Sequence, residues 1–517
     1  MTKLKFYGGI PIPDYTERLL KNVDPGEKAP RAIDERMAKG EIGGNIILVD
    51  NKMFWDFGLS FRRYSFFFTG FGAPHKSIGM GEWINLGLAP KIKGIYREDY
   101  VITEESPYPE LLGEPDIKKI ILTHGHIDHI GLVPLLKPEI EIFCGELSNF
   151  ILKHFTETGL GSYHDYSEQK KSHRKKDNIP RKITTFKPDD EIKGTGVNAF
   201  EVDHSIIDSY GLIYNNIAYT ADFRMHGRNP EKTLKFFEEC RKRNIDTLIT
   251  EGTYIERQEK NITESDVEKR LEEIINGKDG LVMCVYPVRD HSRLLSFYNA
   301  AGNNNRKLVI NPSQAHLILL LENSGFLQRK GDLLYEGSSK DNSRALMPAV
   351  TENENMMVME EASLVSRTWE KTTYENLKIN RIDYKELLKN QKAFVFFCEE
   401  YDLSRLKGYE QLGLSLAKNS IYIHSSHESF DKHLKQREEI RNNLLEVLGV
   451  NHNETYQVHT TGHASGSEIV EMINSIPTLK KVIPIHTKGI KEFSRLKKEG
   501  IIKPELIIPA YGKEIEV

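Results

Sequence analysis

The stretch ILTHGHIDHIGLVP places His124, His126, Asp128 and His129 within six residues, between an apolar run and Gly131. Neutral imidazoles together with a carboxylate form a donor set that suits zinc. No regular strand or helix would point all four side chains one way. The chain must bend here, and Gly125 and Gly131 permit the bend. A loop that spreads its ligands in different directions can serve two ions. A capped helix start with incidental histidines is the alternative, and it leaves the density of ligands after an apolar strand unexplained.

The elements that would position this cluster can be read on either side of it. NIILVDNKMFWDFG predicts two strands around a turn at Asp50, Asn51 and Lys52, with Asp56 at the end of the second. DIKKIILTH is a short apolar strand that runs straight into the histidines. AFEVDHSIIDSYGLIYNNIAYTADF predicts further strands with a turn at Asn215 and Asn216, and leaves His204 and Asp222 at strand ends. DTLITEGTY repeats the pattern with Glu251. Polar residues at strand ends, not within strands, indicate that one rim of a sheet carries the chemistry.

The texture changes near Asn261. TESDVEKRLEEIINGKDG predicts a helix with Val267, Leu271, Ile274 and Ile275 on one side, stopped by Gly277. LVMCVYPV, KLVI, AFVFFCEE and SIYIHSS are short, nearly unbroken apolar runs separated by helical stretches. That alternation is expected of a mostly parallel sheet covered on both faces. A further helix is expected near residues 430–448, with Gly449 as its stop. Strands ending in histidines then return in TYQVHTTGHASGSEIVEMI and KKVIPIHTKG. The reading is three segments: 1–258, an insertion at 259–429, and 430–517.

At 517 residues, and about 150 residues per domain, two to four domains are expected. Hydrophobic residues make up 39% and charged residues 28%, which suits a globular chain with a sizeable core. No apolar stretch is long enough for a membrane span. The N-terminal MTKLKFYGGIPIPDY lacks the apolar core of a secretory signal. Cys144, Cys240, Cys284 and Cys398 are scattered, as expected of reduced thiols in a cytoplasmic protein. A net charge of -4 argues against a protein held to nucleic acid by charge alone. One basic strip, KKSHRKKDNIPRK at 170–182, is either a solvated loop or a phosphate contact. FRRYSFFFTGFGAPHK, beginning at Phe61, is read as core in preference to a lid.

The His-x-His-x-Asp-His pattern resembles the metallo-β-lactamase superfamily, with Asp56 in WDFG similar to its preceding aspartate motif. His204 in VDHSIIDSYG and Asp222 in YTADF match its third and fourth motifs in order and local pattern. Glu251 in LITEGTY, His463 in HTTGHASGS and His486 in VIPIHTKG resemble motifs A, B and C of the β-CASP nucleases. That family includes ribonuclease J and the mRNA 3′-end-processing endonuclease, and DHSIIDSYG is particularly similar to the ribonuclease J type. The resemblance implies an α/β fold, a metallo-β-lactamase αββα sandwich with an inserted β-CASP α/β domain. It also implies two Zn²⁺ ions, with Mn²⁺ or Mg²⁺ as alternatives. One ion would take His124, His126 and His204, the other Asp128, His129 and His486, and Asp222 would bridge them. Two ions ~3.5–4 Å apart acidify a water between them and clamp phosphate oxygens during an in-line displacement. Asp56 is expected to hold a ligating histidine from behind.

The implied substrate is single-stranded RNA, cut by a 5′-to-3′ exonuclease with some endonuclease activity. His463 would protonate the leaving 3′-oxygen, and Glu251 would help keep it protonated. Ser465, followed three residues later by Glu468, has capping-box spacing, so a helix should begin there. Free N–H groups at that helix start, beside Thr461, Gly462 and Ser465, would offer a phosphate pocket. Arg289 and Arg293 are backbone-phosphate contacts or structural ion pairs. A DNA nuclease of the same family is the near alternative, although that branch typically has valine where this chain has His486. A small-molecule hydrolase would not need Glu251 and His463, and an inactive scaffold would not keep every ligand. No membrane partner is expected, and a homo-oligomer is left open.

Overall fold

Ile46–Val49 is apolar at every position, and a strand alternates its side chains across a sheet, so both faces must be covered. The computed structural model describes residues 1–11, 40–68, 73–75, 77–102, 108–159, 162–169, 178–336, 344–360, 367–377, 380–427 and 432–517. In it, Ile47 and Val49 face a second sheet, while Ile46 and Leu48 face helices. Of the basic stretch, 170–177 lie outside the described residues, as do 69–72 and 76 of the aromatic stretch.

Two seven-stranded sheets make the sandwich. In the first, Glu514–Glu516, Lys3–Gly8, Ile46–Val49, Met53–Trp55, Lys119–Ile121, Glu141–Gly145 and Ile183–Phe186 lie side by side. In the second the order is Glu505–Leu506, Lys481–Ile485, Thr247–Glu251, Ile217–Tyr219, Tyr210–Tyr214, Val197–Glu201 and Glu191–Ile192. Phe6, Trp55, Ile121 and Phe143 from the first sheet meet Leu212, Tyr219, Ile249 and Ile483 from the second in one buried cluster. Each large side chain buried there contributes about 1.5–3 kcal/mol. The outer face of the second sheet is covered by helices Pro230–Lys242, Gly466–Asn474 and Ile490–Lys498 through Phe236, Ile469 and Phe493. Helices therefore flank two stacked sheets, the α/β sandwich class expected from the sequence.

The third sheet belongs to the inserted segment and is parallel throughout. Its order is Arg381–Ile382, Met356–Met359, Lys307–Ile310, Phe394–Phe397, Val282–Val285, Ile421–His424 and Thr455–Gln457. Val282, Cys284, Val395 and Phe397 face one apolar cluster, and Met283, Phe394 and Phe396 face the other, so the unbroken apolar runs are strands buried on both sides. Thr455–Gln457 corrects the expected end of the insertion at 429. It pairs with Ile421–His424 in this sheet, and helix Lys432–Val447 is the crossover that joins parallel neighbours. Leu445 and Leu448 pack under the sheet with Val450. The chain returns to the sandwich only after Gln457. No described helix is long and apolar enough to cross a membrane.

Candidate metal centre and catalytic pair

Five of the seven candidate ligands sit where a strand of the sandwich ends, and the other two, Asp128 and His129, lie on the short helix Ile127–Ile130 that follows. Lys119–Ile121 runs into His124 and His126, Val197–Glu201 into His204, Ile217–Tyr219 into Asp222, and Lys481–Ile485 into His486. Several of these ends turn through a left-handed backbone at a residue with a side chain: φ is 57° at Asp56, 49° at Ala221 and 51° at His486. Such conformations are uncommon for L-residues and gather at functional sites. Here they swing Asp56, Asp222 and His486 inward off their strands.

Two quartets result. His124, His126, His204 and Asp222 bring one ligand atom each to within 4.8 Å of the others, and so do Asp128, His129, His486 and Asp222. Asp222 belongs to both. His204 Nε2 lies 3.1 Å from His126 Nδ1, His129 Nε2 lies 3.1 Å from Asp222 Oδ2, and His486 Nε2 lies 3.1 Å from Asp128 Oδ2. His124 Nε2 and Asp222 Oδ1 are buried without a hydrogen bond among the described residues. Buried polar atoms rarely lack a partner, so two of them within one cluster call for a bound group. Burial holds His124 and His204 well below the ordinary imidazole range and brings His126 to about 4, so all three are neutral, as ligands must be. Around His129, burial opposes charge, yet Asp222, Asp56 and Asp128 outweigh it and hold the ring protonated. That surplus of carboxylate favours a cation, which would take the proton's place. The donor set fits two divalent cations.

The outer nitrogens of these rings are also held. His129 Nδ1 is 2.7 Å from Asp56 Oδ2, and Asp56 in turn accepts from the Thr123 N–H at 2.8 Å and the Tyr219 hydroxyl at 3.0 Å. Asp56 thus stands behind the candidate ligand His129. His204 Nδ1 is 2.6 Å from the Gly462 carbonyl, His486 Nδ1 is 2.9 Å from Thr253 Oγ1, and His124 Nδ1 is 3.1 Å from Thr123 Oγ1. Sequence reasoning missed Thr123, Thr253 and Tyr219. The two threonines lie inside recognised motifs and could have been marked as neighbours of ligands, but nothing local marks Tyr219.

His463 lies beside the quartets, its ring 5.3 Å from those of both His204 and His486. Its Nδ1 is 3.2 Å from Glu251 Oε1 and 3.3 Å from Thr253 Oγ1. Burial works against its charge, but Glu251, Asp222 and Asp128 more than offset that and push the imidazole up to about 9. Glu251 is itself fixed, because its Oε2 accepts from the Thr253 N–H at 2.9 Å.

Two substrate-contact expectations need correction. Helix Gly466–Asn474 does begin with the expected capping box, and three of the donors at this start are taken: Ser465 N–H goes to Glu468, Glu468 N–H to Ser465 Oγ, and Gly466 N–H to the Arg257 carbonyl. Ser465 is fully buried. Thr461 Oγ1 accepts from the His463 N–H, and Gly462 turns its carbonyl to His204, so these two atoms of the loop position the site. Arg293 is also fully buried, its guanidinium bonded to Glu264, Ser425 and the Thr460 carbonyl, with His459 Nδ1 3.1 Å away. It ties the insertion to the loop that carries His463. Arg293→Met is expected to cost about 3–5 kcal/mol in urea unfolding, since it strands the Glu264 carboxylate in the interior. A stability equal to the unsubstituted protein would reject that role. Arg289 differs: it stacks 3.8 Å above the Phe155 ring, its Nε has no hydrogen-bond partner among the described residues, and it shares a cavity with Ile206 and Ile207.

Residues 94–202 match the model of the Metallo-beta-lactamase superfamily. The chain is 25% identical over 217 residues to "Ribonuclease J 2" of Streptococcus pyogenes serotype M3, covering 39% of this chain and 36% of that protein. It is 24% identical over 205 residues to "Ribonuclease J" of Mycoplasma genitalium, covering 38% of this chain and 33% of that protein. The matched part spans about a third of these relatives. Over its whole length the fold is similar to that of a protein of unknown function from Enterococcus faecalis V583, at 19% identity and a TM-score of 0.65, covering 100% of each chain.

Proposed function

We propose that this chain, a metallo-β-lactamase superfamily protein similar to ribonuclease J, is a zinc-dependent ribonuclease with a two-metal site. The observation that carries the reading is the pair of ligand quartets sharing Asp222, with the Glu251–His463 pair beside them. When bound, two divalent cations supply Lewis-acid polarisation of the phosphate and a nucleophile at neutral pH. The remaining work falls to the chain itself. His463 holds a proton next to the reacting centre and delivers it to the leaving 3′-oxygen of RNA. Glu251 and Thr253 hold His463 Nδ1 and so leave Nε2 for the substrate. Asp56, Gly462 and Thr253 orient the ligating rings. We read the parallel-sheet unit as the β-CASP insertion. Four buried, unpaired cysteines accord with a cytoplasmic location.

Because an acid must be protonated to act, activity is expected to fall as pH rises through the His463 pKa. Cations bound at the quartets neutralise Asp222 and Asp128, which leaves Glu251 as the carboxylate that sustains the raised value. Glu251→Gln should therefore move the alkaline limb of the kcat profile to lower pH. An unmoved limb would separate Glu251 from the proton donor.

We further propose 5′-to-3′ exonuclease action with some endonucleolytic cutting. The occupied helix start at Ser465 removes one anchor for a terminal phosphate. Arg289 is the better candidate, with an Nε unpartnered among the described residues and a cavity reaching the loop after His204. The test compares 5′-monophosphate RNA, 5′-hydroxyl RNA, circular RNA and DNA of matched sequence. Fastest cleavage of the 5′-monophosphate RNA is expected. Equal rates on the three RNAs would make the protein an endonuclease, and preference for DNA would overturn the ribonuclease reading.

A further inference from the structure

The turn that follows Glu251 presses a cation against the loop that carries His463. Arg257 N–H donates to the Tyr254 carbonyl at 2.8 Å, and the Arg257 carbonyl accepts from the Gly466 N–H at 2.7 Å. Gly466 opens the helix after His463, and a Cβ there would strike the Ile255 carbonyl, so only glycine lets the turn approach this closely. Tyr254 also bridges to Ser465. The backbone of Arg257 is therefore fixed from two sides.

Its side chain is exposed, yet placed. The guanidinium carbon lies 4.5 Å from the centre of the Tyr254 ring, a cation–π contact. The centre of that same Tyr254 ring is 6.2 Å from that of His463. The ring contacts link Tyr254 to His463 and to none of the ligand imidazoles, so Arg257 reaches the site from the proton donor's side. Among the described residues Arg257 makes no ion pair, although Glu256 and Glu259 neighbour it in sequence. A guanidinium held by a ring, with no ion pair among the described residues and next to a group that protonates a leaving oxygen, is suited to an anion on the leaving strand.

We propose that Arg257 binds a backbone phosphate of the RNA on the leaving-group side of the scissile bond, an assignment that rests on the ribonuclease reading above. It is a positioning residue. It holds the strand on the His463 side of the site equally before and during the reaction, and it carries no sequence preference, because phosphate contacts fix register without reading bases. Tyr254 keeps the guanidinium in place and limits the freedom lost on binding.

The experiment measures RNA binding to metal-loaded protein in the His463→Ala background, with and without Arg257→Ala or Arg257→Lys, across a salt series. Steady-state kinetics of the Arg257 variants with His463 intact accompany it. Metal content and thermal midpoint serve as folding controls. Removing one phosphate contact on a single strand should lower the magnitude of the log–log salt slope by about 0.7. Affinity should weaken equally for RNAs of different sequence. KM should rise with kcat nearly unchanged, since the contact exists before and during the reaction, and Arg257→Lys should keep the slope. An undiminished slope in Arg257→Ala, or a loss confined to kcat, would overturn this assignment alone. A His463→Ala protein that does not bind RNA, with an unsubstituted protein that does not cleave it, would overturn the functional reading and this assignment with it.

Discussion

Asp222→Ala is expected to strip both metal ions and abolish hydrolysis, the largest effect of any single substitution in this chain. Asp222 is the one residue common to both quartets, and its Oδ1 is buried with no hydrogen-bond partner among the described residues. Burial disfavours its charge, but His486, His129 and His463 hold its carboxyl well below the usual carboxylate range, so it stays ionised. Without it the first quartet becomes three neutral histidines with no compensating charge. The second keeps Asp128, which is also held ionised by His129 and His486. Elemental analysis should show about two ions in the unsubstituted protein. The variant should hold less than one. A variant that still carries two ions would show that the quartets do not act as a unit, and the assignment of Asp222 would fall with it.

His463→Ala should lose turnover by ~10²–10⁴-fold, the range for general acid catalysis, while keeping both metals. The reasoning is geometric: His463 lies outside the two quartets and touches them through ring contacts, whereas its Nδ1 is committed to Glu251. Glu251, His463 and His486 also bring ligand atoms within 4.8 Å of one another, so a third ion there is a distinct outcome. Metal content separates the two roles. Loss of activity with metal retained supports the proton donor, and loss of one ion with activity would make His463 a ligand. An RNA with an activated leaving group, which needs no proton, should restore much of the rate in the first case and none in the second.

The sequence by itself determined the candidate ligands and the class of the fold. Ligands packed as tightly as His124 to His129 are visible without a structure, and His204, Asp222 and His486 each follow an apolar strand that announces itself. Unbroken runs such as FVFF were legible as strands covered on both faces, because a parallel sheet leaves no polar side. The capping box at Ser465 was legible too, since its spacing is local.

Only the tertiary structure decided what those local features face. The capping box was present, but whether its N–H groups were free depended on the Arg257 carbonyl, more than two hundred residues earlier in the chain. Arg293 was open to either a phosphate contact or a structural ion pair, and burial against Glu264 made it a clamp. Thr455–Gln457 had the pattern of any short strand, and its partner, Ile421–His424, assigned it to the inserted sheet. The inward turns at Asp56, Ala221 and His486 carry no glycine to signal a left-handed backbone. Such turns cost roughly 1–3 kcal/mol each and persist only where surrounding contacts over-determine them. Those contacts come from both sheets, as when Tyr219 of the second holds Asp56 of the first. Spacing along a chain records which groups are available, and the packing of one sheet on another settles which of them meet.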